Sequence, residues 1–214
     1  MGYYQIKYAV GDTVGRTFPQ SQQIESKIPI DAPNHLLSIS GKFENNVYIP
    51  DSIIEPNAKL TDLISSSPIM MQLIIRNKLK NLVQNYREDG LQFFPTKLIY
   101  KKKVIEDYWI LNAFERDYSC INFKKSIISI KNNIQKTSRE VDIKSLESFK
   151  MFLNTIKHPE YLRIEKLYLI EGNKQDLLII DRVLGFFLFF SEKLKNEVEN
   201  AGCTGIEFEP IEVC

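Results

Sequence analysis

The sequence predicts an α+β fold, mainly antiparallel sheets with a few packed helices, containing a duplicated strand–helix–strand unit. An internal repeat points there first. The stretch 76–98, RNKLKNLVQNYREDGLQFFPTKL, recurs without a gap at 191–213 as SEKLKNEVENAGCTGIEFEPIEV. Nine of the 23 paired positions are identical: Lys78/Lys193, Leu79/Leu194, Lys80/Lys195, Asn81/Asn196, Val83/Val198, Asn85/Asn200, Gly90/Gly205, Phe93/Phe208 and Pro95/Pro210. Ordinary residue usage gives about one or two matches at a random offset, and two copies are too few for a solenoid. Composition agrees, because 13 Phe and 10 Tyr in 214 residues favour strands. So does periodicity, which alternates over short runs and takes a helical spacing in few places.

Taken in order, residues 3–10 alternate and predict a first strand. Residues 11–35, rich in Gly, Pro, Ser and Gln, are expected to be loops, and 36–41 with 46–49 to form a hairpin across GKFEN. The segment 50–68 carries Pro50, Pro56, Pro68 and a serine run, so it is expected to be loop as well. The apolar runs 71–75 and 186–190 predict buried strands, each leading into one copy of the repeat. In the second copy Ser191 suits a helix N-cap, and Leu194, Val198 and Ala201 give one apolar face. Gly90 and Gly205 stand where the chain leaves the helix, a position that favours φ > 0. Alternation then puts Leu91, Phe93, Ile206 and Phe208 on one face, and Gln92 and Glu207 on the other. Of these, Leu194, Val198 and Phe208 are expected to be buried. Pro95 and Pro210 cannot donate to a ladder, which predicts a sheet edge or a strand end for each.

Between the copies, 97–103 continues the preceding strand and 107–114 (DYWILNAF) predicts a buried one. Residues 120–130 suggest a strand pair, and 145–156 (SLESFKMFLNTI) has apolar positions at helical spacing. Residues 162–171 and 177–181 look like two strands joined across EGNKQD. The whole is one compact unit of residues 1–214, or two lobes, 1–105 and 106–214, with one copy in each.

The net charge is +1, so bulk polyelectrolyte binding is not indicated. The charge is uneven, however: 97–139 holds ten Lys/Arg against four Asp/Glu, and 175–214 three against eight. Such segments are solvated faces or partner-binding ones. The start, MGYYQIKYAV, has no basic region followed by an apolar core, and Ile6 takes the place of the Ser/Thr of a myristoylation motif. The longest apolar stretch, VLGFFLFF at 183–190, is too short to cross a bilayer. Cys120, Cys203 and Cys214 are odd in number and not closely spaced, which suits a reducing compartment. The expected location is the cytoplasm, with no membrane partner.

Chemistry-bearing patterns are sparse. A metal site or a His-assisted nucleophile would have to use His35 or His158. GDTVG at 11–15 lacks the Lys and Ser/Thr of a phosphate loop, and the cysteines form no CxxC. Glu207 and Glu209 share a strand face, a spacing that surface acids adopt far more often than a glycosidase pair does. The expectation is a protein that is not an enzyme, with no catalytic residue, cofactor or metal. Lys101, Lys102 and Lys103, with Lys124, Lys125, Lys131 and Lys136, could line a phosphate-binding face beside Tyr100, Tyr108 and Trp109. Solvated lysines and a core Trp109 are the commoner outcome.

Several of these segments occur together in a known family. AKLTDLISS (58–66), the apolar strand leading into RNKLKNLV, then GLQFFPTKL, DYWILNAF and the terminal LFFSEKLKNEVENAGCTGIEFEPI resemble immunity proteins of bacterial polymorphic toxin systems, across residues 58–213. The most specific block is 189–210. The chain departs from the family's D-x-x-x-S arrangement, with Asn122 in place of the Asp before Ser126. The resemblance implies a non-enzymatic cytoplasmic protein that binds one cognate protein toxin, such as a nuclease, and blocks it. Against a basic toxin the acidic C-terminal region is the candidate face, with Glu199, Glu207, Glu209 and Glu212 as partner-binding residues. The same residues leave open a nucleic-acid-associated module using the basic 97–139 segment, or a non-enzymatic interaction protein of unrelated role.

Overall fold

The computed structural model describes residues 2–44 and 46–213. In chain order its elements are β1 (Tyr3–Tyr8), β2 (Ser21–Glu25), β3 (Asp51–Ile54), β4 (Leu63–Ile64), β5 (Leu73–Arg76), α1 (Asn77–Tyr86), β6 (Leu91–Tyr100), β7 (Lys103–Ala113), β8 (Ile127–Asn132), β9 (Thr137–Glu140), α2 (Leu146–Thr155), β10 (Glu160–Lys166), β11 (Tyr168–Leu169), β12 (Leu177–Ile179), β13 (Leu188–Ser191), α3 (Glu192–Asn200) and β14 (Ile206–Val213). Strand pairing is mostly antiparallel, so the fold is α+β and mainly sheet. Both copies of the repeat are helix, glycine turn and strand. Gly90 and Gly205 have φ of +76° and +83°, and the element starts keep one offset (192 − 77 = 206 − 91 = 115).

The chain divides into two compact units. One, called here the N-unit, comprises Tyr8–Glu115 and Asn196–Glu207; the other, the C-unit, comprises Met1–Lys7, Arg116–Lys195 and Phe208–Cys214. The expected lobe boundary at 105/106 falls inside β7, which pairs with β6 and β5 along most of its length and cannot be divided there. The N-unit holds a six-stranded sheet, β2-β3-β6-β7-β5-β4. Its core gathers Leu36, Phe43, Ile64, Ile74, Leu98, Tyr108 and Ile110. The C-unit holds most of a five-stranded sheet, β11-β14-β1-β13-β12, and a three-stranded one, β10-β8-β9. Tyr3, Phe149, Leu162, Ile164, Leu178 and Phe189 lie in its core.

The duplication extends well beyond the 23 aligned positions. From one edge the two larger sheets run β4-β5-β7-β6-β3 and β12-β13-β1-β14-β11. The relative directions match at three junctions: β4/β5 and β12/β13 are antiparallel, β5/β7 and β13/β1 antiparallel, β6/β3 and β14/β11 parallel. Even the next neighbour agrees, since β2 pairs antiparallel with β3 and Ile121 bridges Leu169 of β11 antiparallel. Ile75 faces Trp109 in one sheet and Phe190 faces Tyr4 in the other. Strand β1 therefore stands where β7 stands, 105 residues earlier in sequence (109 − 4). The second copy is circularly permuted: its central strand comes from the start of the chain.

Several local expectations fail for physical reasons. Residues 36–38 form a 3-10 turn capped by His35, which bridges Tyr48 in parallel, so the hairpin across GKFEN is not formed. The supposed loops 11–35 and 50–68 contain β2, β3 and β4, short strands whose partners are distant in sequence. Residues 120–130 supply only one regular strand, β8, because 118–120 is a 3-10 turn. Strands β11 and β12 pair with β14 and β13 instead of with each other. Leu194 and Val198 are buried as expected, but Phe208 is only half-buried, stacked against Phe190 under the Lys195 ammonium. Pro95 and Pro210 lie within long strands, upstream of the residues that β3 and β11 pair with, where a missing N–H breaks no bond to those neighbours.

Candidate functional site

Each unit builds the same network around an aspartate. The Asp62 carbonyl accepts the Arg76 N–H at 2.8 Å and its carboxylate pairs with Lys78 at 3.3 Å. The Asp176 carbonyl accepts the Ser191 N–H at 2.8 Å, and its carboxylate takes the Ser191 hydroxyl and lies 4.0 Å from Lys193. The residue before each aspartate offers its carbonyl to a buried tyrosine of the central strand. Tyr108 donates to Thr61 O at 2.9 Å and Tyr3 to Gln175 O at 2.7 Å. Burial raises both phenols, Tyr3 to about 12 with the Asp176 charge adding to it. Outside, Lys80 lies over Phe93 and Trp109 (5.5 and 4.5 Å), and Lys195 over Phe208 and Tyr4 (5.6 and 5.1 Å). These groups are engaged within their own units, so they fix architecture and leave little for a ligand.

The four expected partner-binding acids are all exposed. Glu199 and Glu207 belong to the N-unit, Glu209 and Glu212 to the C-unit. Glu199 lies on α3, off the Leu194/Val198 stripe. The Glu207 carboxylate accepts the Val10 N–H at 3.4 Å. Glu209 pairs with Lys7, and Glu212 with Lys166 at 3.0 Å. The hydrogen bond from Lys166 holds the Glu212 carboxyl below its usual range. Hydrogen bonds to Tyr168 and then Glu212 push Lys166 up to about 12.

Glu209 and Glu212 come together on one feature, a cleft of about 270 Å³ within the C-unit. Its apolar lining is Ile211, Val183 and the exposed Leu184, with Phe189 and Ile164 buried behind them. Its rim carries the Lys7–Glu209 and Lys166–Glu212 pairs and Glu165. Burial pushes the Glu165 carboxyl up, yet hydrogen bonds from Lys131 and Ser129 outweigh it and keep it below the usual range. The Leu184 wall is fixed from beneath. The buried Gln5 amide donates to Leu184 O at 2.7 Å and Phe186 O at 2.5 Å, and Gly185 between them has φ of +88°. Nothing in the sequence singles out Gln5, Lys7 or Leu184, because they come from segments nearly 180 residues apart.

The basic segment is divided between the two units. Lys101 and Lys102 turn the β6–β7 hairpin of the N-unit, both at positive φ, whereas Lys124, Lys125, Lys131 and Lys136 belong to the C-unit. Lys97 pairs with Glu106 at 2.6 Å and Lys131 with Glu165 at 2.7 Å. Of the proposed stacking residues Tyr108 is core, Trp109 lies under Lys80, and Tyr100 donates to Ala58 O. His35 is buried; its Nδ1 accepts the Leu37 N–H at 3.1 Å, and burial lowers its pKa. His158 is exposed before Pro159. Among the described residues no three His, Cys, Asp or Glu side chains are grouped to hold a metal. Cys120 is buried, and burial with the Asp62 charge pushes the Cys203 thiol up to about 11; Cys214 lies outside the described residues. No helix among the described residues is long and apolar enough to cross a membrane. Compared with known proteins, the chain matches no protein-family model and no curated protein.

Proposed function

We propose that this protein is a cytoplasmic immunity protein that binds a cognate bacterial toxin and neutralises it by covering it, catalysing no reaction of its own. The observation that carries this reading is the cleft beside Glu209 and Glu212. An apolar lining inside a charged rim is the composition of a protein association surface, and 270 Å³ is small for a cofactor pocket. The sequence resemblance over 58–213 supplies the class of partner. Exposed acids on α3 and β14 would steer a basic toxin, a role that needs charge without deep burial.

The reading expects a toxin domain encoded beside this gene, and the test is reconstitution with it. An equimolar complex and loss of toxin activity are expected, with no hydrolase or nuclease activity from this protein alone. Reversing Glu199, Glu207, Glu209 and Glu212 to Lys should slow association and flatten its dependence on salt. Circular dichroism of the variant checks that the fold survives. An association rate that does not respond would remove these acids from the interface, and activity requiring His35 or His158 would end the non-enzyme reading.

A further inference from the structure

The glycine segment GDTVG (11–15) and the turn lysine Lys101 border one cleft of the N-unit. Gly15 bridges Ala58 antiparallel, the Arg16 N–H donates to Asn57 O at 3.0 Å, and the Lys59 N–H donates to Val14 O at 2.8 Å. A Cβ on Gly15 would lie 2.5 Å from Asn57 O, so a glycine is what lets the two segments close. The Tyr100 hydroxyl donates to Ala58 O at 2.8 Å and ties the β6–β7 turn to the same floor. Between these three segments lies a cleft of about 420 Å³, lined by Asp12, Arg16, Asn57, Lys59, Tyr100 and Lys101 among others.

The lining is cationic, with Arg16, Lys59 and Lys101 against Asp12. Among the described residues none of the three cations is ion-paired. The C-unit cleft is the contrast, since its Lys7 and Lys166 are engaged by Glu209 and Glu212. The Lys59 ammonium donates to the Asp12 carbonyl at 2.6 Å, which fixes its place and leaves two of its three N–H groups and its charge uncompensated. An ammonium thus sits against GDTVG although that motif carries no lysine of its own. The Lys101 ammonium lies 4.8 Å from the Tyr100 ring centroid, and a ring face attracts a cation without neutralising it. Lys102 follows in the same turn. Like charges gathered around one cleft repel one another, and an anion between them removes that cost.

We propose that this cleft binds a compact anion carrying two or more phosphate groups, either a free oligophosphate or a phosphate ester. The Arg16 guanidinium offers a planar fork that matches phosphate oxygens, and two ammonium groups from other segments supply charge for a second phosphate. A volume of 420 Å³ is in the range of small-molecule sites. A nucleic-acid strand fits less well, because the Tyr100 ring is half-buried against the core with Lys101 over it and gives no platform for a base. A docked peptide needs apolar contact, whereas Pro56 is exposed here, Ala58 is buried and Tyr100 half-buried. Binding at this cleft needs no toxin, so it stands or falls apart from the immunity reading.

The probe is sodium pyrophosphate, titrated into the full chain at low salt while backbone amide resonances are followed by NMR. Saturable shifts at Gly15, Arg16, Ala58 and Lys101 are expected, with a Kd of about 0.1–1 mM. Arg16→Gln and Lys101→Gln change exposed side chains, so circular dichroism should find both variants folded. Each should weaken binding by about tenfold, whereas Lys124→Gln, which removes a cation of the C-unit, should change it by less than about twofold. ADP separates the two sources. Binding equal to or weaker than that of pyrophosphate points to a free anion, binding at least about threefold tighter points to a phosphate ester, and either result supports the site. Shifts absent up to about 10 mM pyrophosphate would overturn the proposal. So would orthophosphate or sulfate bound as tightly as pyrophosphate, or an affinity that Arg16→Gln and Lys101→Gln leave unchanged. A single-stranded oligothymidylate held at these residues far more tightly than ADP would also overturn it, by making the ligand a nucleic acid.

Discussion

Gly205→Ala should destabilise the protein more than Gly90→Ala, although the two glycines are equivalent in the repeat. Both have positive φ, a conformation that costs an alanine about 1–2 kcal/mol. Alanine also restricts the unfolded chain, which returns about 0.4–1 kcal/mol. At Gly90 the added Cβ meets Glu115 Cβ at 2.8 Å and the Arg87 and Glu115 side-chain ends at 3.1 Å. The Arg87 and Glu115 ends can move aside, while the Glu115 Cβ shifts only with its backbone, so the net cost is about 1–2 kcal/mol.

At Gly205 the new Cβ would lie 2.4 Å from the Leu63 carbonyl oxygen and 2.6 Å from Thr61 Oγ1. That backbone must retreat by about 1 Å to reach ordinary van der Waals separation. The same segment is tied to the turn by Asp62 and Leu63 N–H groups on Thr204 O, at 3.0 and 3.1 Å, and by Thr204 N–H on the Asp62 carboxylate at 2.8 Å. Losing or stretching two of these adds about 2 kcal/mol at roughly 1 kcal/mol each. Gly205→Ala should then cost about 3 kcal/mol, once the unfolded-chain return is subtracted. Urea denaturation followed by circular dichroism measures both variants. Equal costs would mean that the Asp62–Thr204 clasp yields freely and does not fix the turn.

The paired tyrosines give a second prediction: Tyr3→Phe and Tyr108→Phe should each cost about 1 kcal/mol, because each removes the hydroxyl donor from a part-buried or buried carbonyl, and thermal melts giving a clear loss in one and none in the other would deny their equivalence. Leu194→Ala should cost about 2–5 kcal/mol, since the side chain is fully buried; a change under about 0.5 kcal/mol in chemical denaturation would put that helix face in solvent. His35 has a lowered pKa in the folded chain, so the unfolded chain binds the extra proton first, and stability should fall as pH drops below the unfolded value of about 6.5. His35→Asn keeps an N-cap acceptor and should flatten the stability profile between pH 7 and 5; unchanged slopes would acquit this histidine.

The repeat was legible because helix, glycine and strand keep one spacing, and Gly90 and Gly205 must both reach positive φ. Helix α2 was legible through its period and the Ser145 cap, which closes a capping box with Ser148. Strands β3 and β4 escaped because four and two residues carry little periodicity, and prolines and serines surround them. Their strand character comes from partners far along the chain, Leu98–Tyr100 side by side with β3 and β5 beside β4. The half-exposure of Phe208 was hidden for a related reason: its cover is Lys195 on the helix, a contact that alternation along one strand does not encode. Of the candidate site, Glu209 was visible with Glu207 as acids sharing one strand face, and Glu212 as an acid of the same C-terminal segment. The cleft was not, since Gln5, Phe189 and Ile211 meet only after β1 enters the sheet beside β13 and β14.

That entry also decides whether the repeat is a duplication or merely two ordinary helix–turn–strand units. Two unrelated units would share a turn glycine and an apolar helix stripe, since the local geometry asks for both. Nothing in that geometry asks for a tyrosine hydroxyl on the carbonyl just before an aspartate, made by a strand that follows the repeat in one unit and opens the chain in the other. Nor does it ask for the aspartate carbonyl to take the N–H two residues before the paired Lys78 or Lys193, or for the next lysine of the helix to lie over one ring from each of two strands. Such contacts recur at matched registers, so the two units share a fold beyond what local geometry requires. Once equivalence holds at that level, a difference between the units carries information. Where the N-unit seats Phe43 on Phe94, the C-unit pairs Lys7 with Glu209. Phe189 beneath that pair is already buried, so the ion pair uncovers no core residue, and the two units differ in surface chemistry while keeping one framework.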